Sequence, residues 1–151
     1  MKLTTKGRYG VRAMANLAGH GNGAPLSIAK IAKEEELSPE FLEQIFFRLR
    51  KAGLIRSTRG PKGGFVLNRE PAEISIRAIL DAVGEPLHPT PCTEHGKVAC
   101  ERESYCTMSP VWHEFYDKIR SHLDSVSLAQ IIEGKRSVAT RGAPELQTSA
   151  N

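Results

Sequence analysis

Residues 38–67 read SPEFLEQIFFRLRKAGLIRSTRGPKGGFVL, and the rest of the chain reads as support for them. Ser38 is a good helix N-cap and Pro39 suits the first helical position, because the hydroxyl satisfies an orphan amide and proline's missing N–H is not needed there. Leu42, Ile45, Phe46 and Leu49 recur at helical spacing, which predicts a helix that Gly53 stops. Leu54 to Thr58 and Phe65 to Leu67 are short strand-like runs. Between them Arg59-Gly60-Pro61-Lys62-Gly63-Gly64 is a basic loop of turn formers, so a hairpin with a charged tip follows the helix. The helix offers Glu40, Glu43, Gln44, Arg48 and Lys51 to solvent. A polar helix followed directly by a basic hairpin is what a winged helix-turn-helix needs, one element for the major groove of duplex DNA and one for the backbone or minor groove.

Upstream, Thr4 or Thr5 can cap a first helix with Tyr9, Ala13 and Leu17 on one stripe and Met14 and Ala18 beside them, ending at Gly19 to Gly23. Its start is basic, with Lys2, Lys6, Arg8 and Arg12. Leu26 to Glu36 reads as a short second helix capped by Ser27, with Ile28, Ile31 and Ala32 inward, and Leu37 packs the turn. Downstream, Asn68 to Ser75 is a polar connection, and Ile76 to Val83 is a helix with Ile76, Ile79, Leu80 and Val83 buried before Gly84 ends it. From Glu85 to Ser109 no apolar period survives. Val111 to Val126 is a helix with two stripes, Val111, Phe115 and Ile119 on one and Trp112, Tyr116 and Leu123 on the other. One stripe can cover the wing domain and the other a second copy of the chain, which predicts a homodimer matching a two-half-site operator. Ser127 and Gln130 form a capping box opening a last short helix that Gly134 ends, and Lys135 to Asn151 reads as a mobile tail.

The fold class is therefore mostly α: a winged helix-turn-helix with a small β-hairpin wing and a long C-terminal dimerisation helix. The expected organisation is a DNA-binding domain over 1–83, a cysteine-rich loop over 84–110, the dimerisation helix and short last helix over 111–134, and a tail over 135–151. Charge is unevenly placed along the chain. Residues 1–69 carry 13 Lys and Arg against 5 Glu (+8), whereas residues 70–151 carry 8 against 12 acidic residues (−4). Phosphate neutralisation by Lys and Arg supplies most nonspecific affinity for DNA, so the basic half is the expected polyanion-binding half. No apolar run approaches the roughly 18 residues a membrane span requires, and the N-terminus lacks a signal-peptide core, which points to a cytoplasmic protein with no membrane partner.

The loop contains Cys92, Cys100 and Cys106 among His88, Glu94, His95, Glu101 and Glu103. An odd cysteine count in a cytosolic chain argues for metal or redox chemistry rather than a disulfide framework. Three thiolates suit iron–sulfur clusters, zinc or copper, and cysteine ligation alone does not choose among them. A bound metal would supply the order that packing cannot.

Over residues 1 to about 134 the chain resembles the IscR-type regulators, dimeric winged-helix repressors and activators of bacteria. The resemblance rests on the opening Lys2-Leu3-Thr4-Thr5-Lys6-Gly7-Arg8-Tyr9 and the runs Leu42-Glu43-Gln44-Ile45-Phe46 and Arg48-Leu49-Arg50-Lys51-Ala52-Gly53-Leu54. The wing Arg59-Gly60-Pro61-Lys62-Gly63-Gly64-Phe65 completes it. It implies that Gln44 and its neighbours read bases in the major groove, that Glu43 tunes discrimination between site types, and that Arg59 enters the minor groove with Lys62 beside it on the wing. It further implies an iron–sulfur cluster, 2Fe-2S or 4Fe-4S, on the three cysteines. The family commonly places five residues between successive cysteines; here seven separate Cys92 from Cys100 and five separate Cys100 from Cys106. The histidine that serves as fourth ligand three residues after the last cysteine is replaced by Ser109, and Arg8 stands where other branches use an N-terminal acidic residue. His113, one helical turn beyond Ser109, is the first candidate for that fourth position, with Glu101, Glu103 and His95 behind it.

Two functions compete. The first is a transcription regulator whose DNA binding depends on a cluster sensing iron–sulfur status, redox state or nitric oxide. The second is a cluster-free, thiol- or effector-responsive regulator acting through a protein partner. A zinc hydrolase is a weak third reading, since there is no HExxH or equivalent and nothing near the cysteines makes an evident base and open metal position, so no enzymatic activity is expected.

Overall fold

The computed structural model describes residues 2–20, 23–94 and 100–134, and the backbone of 135–140 within the last helix. Its first three helices are α1 (Thr5–Gly19), α2 (Ile28–Glu35) and α3 (Pro39–Lys51). Each starts at a hydroxyl side chain. Thr4 accepts from the Gly7 amide, Ser27 from Lys30 and Ser38 from Phe41, all at 3.2 Å. Helix α2 starts later than its apolar pattern implies, because Leu26 is taken by an antiparallel bridge to Phe65 and cannot also be helical. Glu36, in the left-handed region with φ 56°, turns the chain toward α3. Polar bonds fasten α1 on α2: Arg12 Nε donates to Glu35 at 2.9 Å, and Asn16 Nδ2 donates to Glu34 and Glu35 at 3.0 Å.

Strands β1 (Ile55–Thr58) and β2 (Gly64–Leu67) pair antiparallel, with Ile55 opposite Leu67 and Thr58 opposite Gly64. A 3-10 turn over Pro71–Glu73 leads to α4 (Ile76–Val83), capped by Ser75 and closed by Gly84 at φ +72°. Helix α4 lies close on α1, where a Cβ at Gly10 would meet Val83 Cγ1 at 3.0 Å. Phe46, Met14, Ile31, Leu42, Leu49, Ile79 and Leu80 are fully buried and form one core beneath α3 and the hairpin. The stripe expected to be buried on α3 is the buried one.

Helix α5 (Ser109–Ser125) begins two residues earlier than its apolar stripes imply, because Pro110 is well placed in a first turn. Tyr116 is buried and Leu123 packs on the core, while Val111 and Phe115 stay 48% and 44% exposed. Arg77 of α4 ties the far end of α5, reaching Asp124 at 2.6 Å and Asp81 at 3.3 Å, and the Asp124 hydrogen bond raises its pKa above the usual guanidinium value. Ser127 and Gln130 close the expected capping box. An antiparallel bridge between Ser75 and Ser127 seats the turn after α5 on the start of α4, and α6 (Leu128–Thr140) packs against α1.

The last helix, α6, spans Leu128–Thr140 and so runs through Gly134 instead of ending there. Gly134 keeps a negative φ, and a helical glycine costs only about 1 kcal/mol against alanine, which helix formers on either side offset. The tail expected over 135–151 is thus helical to residue 140, and 141–151 lie outside the described residues. Among the described residues no helix is long and apolar enough to cross a membrane.

Candidate nucleic-acid interface and cysteine segment

Helix α3 exposes Glu40, Glu43, Gln44, Arg48 and Lys51, as expected, and also Phe47. Its first turn carries Glu40 and its last turn Arg48, Arg50 and Lys51, the placement that complements the helix dipole. Beside this face lies a groove of about 650 Å³ bordered by Ile28, Glu43, Gln44, Phe47, Arg48 and Phe65. At the other end of the face Lys6 Nζ donates to the Gly84 carbonyl at 3.2 Å. Arg48 reaches the same corner, since a Cβ on Gly84 would lie 3.4 Å from its Nη1. Two cations thus stand at the C-terminus of α4, adjoining the α3 face. Of the other cations at the start of the chain, Arg12 is engaged by Glu35 while Lys2 and Arg8 are exposed.

The wing is held in place by its own backbone. Gly60 takes φ +110°, which a side chain would strain, and the Gly63 amide donates to the Gly60 carbonyl at 2.8 Å. Leu26 and Phe65 exchange two amide hydrogen bonds, at 2.8 and 3.0 Å, so the hairpin is pinned to the segment before α2. This requires Gly64, where a Cβ would fall 2.5 Å from the Leu26 carbonyl carbon. Phe65 also meets Phe46 edge-to-face at 5.0 Å, joining wing to α3. Arg59 and Lys62 stand exposed at the tip.

Beyond Gly84 the chain does not simply loop out. Glu85 is 5% exposed, and its carboxylate accepts the Thr4 amide at 2.7 Å and the Thr4 hydroxyl, so it holds the N-terminus of α1. Leu87 and Thr93 are buried, and Pro91–Thr93 forms a 3-10 turn. His88 Nδ1 donates to the Thr93 carbonyl at 2.7 Å, and its ring lies 4.9 Å from that of Tyr116, which Arg120 covers from 5.3 Å. Cys92 and Cys106 are half-buried, Cys100 is exposed, and none is in a disulfide. Cys92 Sγ is 3.1 Å from the Thr90 hydroxyl, and the Cys106 carbonyl accepts from the first amide of α5 at 3.1 Å.

His113 faces this segment but pairs with Glu103 at 3.3 Å, so two of the four candidate fourth ligands meet each other; Glu101 is exposed and His95 lies outside the described residues. In kind, three free thiols suit a soft metal group. In arrangement, no three His, Cys, Asp or Glu residues among those described stand close enough together to hold a metal ion. Sequence reasoning missed Glu85, whose partner is 81 residues away, and Phe47, whose place off the apolar stripe of α3 was the signal that could have found it.

Residues 3–134 match the Rrf2 family, whose description is "Iron-dependent Transcriptional regulator". The chain belongs to the Rrf2 family. This regulator is 41% identical over 132 residues to the HTH-type transcriptional regulator IscR of Aliivibrio salmonicida, covering 87% of this chain and 77% of that one. Among solved structures, T. potens IscR superposes with TM-score 0.73 at 34% identity, over 95% of this chain and 93% of that one. CymR, the global cysteine regulator of B. subtilis, gives 0.71 at 34% identity over 88% and 97%. The expected winged-helix architecture and resemblance to the IscR-type regulators are thus met. The chain is an IscR-like DNA-binding transcription regulator and not an enzyme.

Proposed function

We propose that this Rrf2 regulator works in the cytoplasm as a homodimer whose operator affinity is set by an iron–sulfur cluster on Cys92, Cys100 and Cys106. The observation that carries this is where the thiols sit: all three are free, and all lie on the one segment that joins the wing domain to α5. In this reading Glu40, Glu43, Gln44, Arg48 and Lys51 enter the major groove, and Arg59 and Lys62 hold the backbone or minor groove. The exposed Val111 and Phe115 form the dimer seam.

When bound, the cluster would supply a redox-sensitive centre that depends on iron supply. The chain's own residues carry the response. The segment has little apolar reason to order between Glu94 and Cys106, so ligation free energy becomes ordering free energy for it and for the start of α5. His88 stacked on Tyr116 passes that order to α5, and Glu85 passes it to α1. His113 is the first candidate for a fourth ligand and would have to exchange Glu103 for the metal.

Absorbance and native mass spectrometry of protein purified without oxygen test this. A coloured protein is expected, and serine at any one of the three cysteines should remove or destabilise the chromophore and change operator affinity while leaving the dimer intact. A Cys100→Ser protein with full chromophore and wild-type DNA binding would end the proposal. The likeness to CymR supports the second reading, a colourless regulator that follows thiol state or a small effector through a protein partner.

A further inference from the structure

Phe47 is 59% exposed, an unusual place for a phenylalanine in a chain with a well-filled core. Among the described residues, the other large exposed apolar side chains are Leu3 near the N-terminus and Tyr105, Met108, Val111 and Phe115 in or just before α5; Phe47 stands apart from them on α3. At about 100° per residue, it projects about 150° away from the centre of the buried Leu42, Ile45, Phe46 and Leu49 stripe. Glu40, Gln44 and Lys51 fall within about 30° of the point opposite that stripe, and Phe47 lies about 30° from that point too, on the same exposed face between Glu43 and Glu40. It also borders both clefts flanking α3, the one toward Phe65 and the one toward Gly84.

From this position we infer that Phe47 reads a thymine methyl group in the major groove, adding apolar specificity to the polar readout by its neighbours. The inference rests on the proposed entry of α3 into DNA. If that face enters the groove, an exposed ring on it comes within reach of base edges, and the thymine C5-methyl is the one apolar group displayed there. The occupant is DNA rather than a protein because Arg48 and Lys51 share the face and Arg50 borders it. A phenyl ring with Glu43 and Gln44 one turn before it and the cations Arg50 and Lys51 one turn after it complements a T·A pair set beside phosphates. Serine or alanine there would leave the polar contacts in place and the methyl unread.

The test uses the full chain and duplexes that the wild-type protein selects from a random pool, titrated by fluorescence anisotropy at fixed salt. Each thymine of a selected half-site is replaced in turn by deoxyuridine, which removes only the methyl. One position per half-site should lose about fourfold in affinity, the worth of one methyl taken from water. Phe47→Ser should bind the thymine duplex more weakly by a similar factor and be indifferent to deoxyuridine there, with Phe47→Leu between. Both variants change an exposed side chain, and a circular dichroism melt verifies their folding. The wild-type series needs no variant at all. Selected duplexes bound equally well with thymine or deoxyuridine at every position would overturn the inference, as would Phe47→Ser retaining the wild-type preference. Failure to select any duplex would overturn the DNA reading itself and the inference with it.

Discussion

Replacing Gly64 by alanine should loosen the wing without touching a charged residue. The new Cβ would fall 2.5 Å from the Leu26 carbonyl carbon, which is backbone and cannot swing aside as a flexible side chain would. Either β2 or the Leu26 segment must move, and the Leu26–Phe65 bonds at 2.8 and 3.0 Å are broken or stretched. Two backbone hydrogen bonds at about 0.5–1.5 kcal/mol each give about 1–3 kcal/mol. Partial exposure of Leu26 adds to that, while the lower unfolded-state entropy of alanine returns about 0.4–1 kcal/mol. The net loss of about 1–3 kcal/mol is small against a domain stability of about 5–15 kcal/mol, so the protein should fold. Its melting midpoint should drop by about 2–12 °C at the usual 2–4 °C per kcal/mol for a chain near this size. Hydrogen exchange should show the Leu26 and Phe65 amides losing protection while α4 keeps its own. Specific DNA affinity should fall toward that of a protein lacking the wing contacts. Wild-type melting together with two protected amides would refute the reasoning, because it would show that the wing is not pinned at this point.

Arg59→Ala should cost about 1–3 kcal/mol of specific binding if the side chain enters the minor groove, whereas Lys62→Ala should weaken all duplexes alike and lower the salt slope by about one; anisotropy titrations over a salt series separate the two. Phe115→Asp places a charge on the exposed face of α5 and should halve the mass seen by light scattering while leaving the melt near wild type, since the side chain is 44% exposed in the single chain.

Much of this fold was legible because its decisive signals are local. Ser27 and Ser38 stand directly before apolar stripes, and each caps the helix those stripes describe. The turn-former run from Arg59 to Gly64 sits between two short β-prone segments, and the hairpin follows. What escaped depends on partners distant in sequence. Leu26 carries a helix-compatible pattern, yet Phe65 claims it for a β-bridge. Glu85 looks like a loop carboxylate and proves to be a second cap for α1. Gly134 carries a stop signal, but a glycine ends a helix only where the backbone adopts the left-handed turn, which Gly84 does and Gly134 does not. Within the candidate site, charge and polarity pointed to the α3 face and the wing tip, while Phe47, being apolar, carried neither signal although helical spacing sets it off the buried stripe. The cysteines are the extreme case: their identity shows the chemistry they suit, but no apolar or backbone pattern in the sequence bears on where the three stand relative to one another, and among the described residues no three metal-ligating side chains stand together.

The two ends of the cysteine segment are not equally firm, and that asymmetry bears on what a change at the cysteines can move. At the wing-domain end the buried Glu85 carboxylate accepts two bonds from Thr4, and hydrogen bonds to a charged group are worth about 1.5–3 kcal/mol each. At the α5 end the coupling runs through the His88–Tyr116 stack, for which about 0.5–1.5 kcal/mol beyond area burial is typical. A disturbance between them should therefore be taken up at α5 before it distorts α1, α4 or the recognition helix that packs on them. Because α5 also carries the proposed dimer seam, the consequence is a shift of one wing domain relative to the other, with base readout inside each half-site conserved. Operators with the spacer between half-sites lengthened or shortened by single base pairs should then respond differently to reduction, oxidation or loss of the group on the cysteines, while base substitutions within a half-site should cost the same in every state. His88→Ala should weaken that spacing response and leave half-site preference intact. Spacing-independent binding, with base preference that changes with cysteine state, would place the coupling in the wing domain instead and show that the Glu85 end is the one that yields.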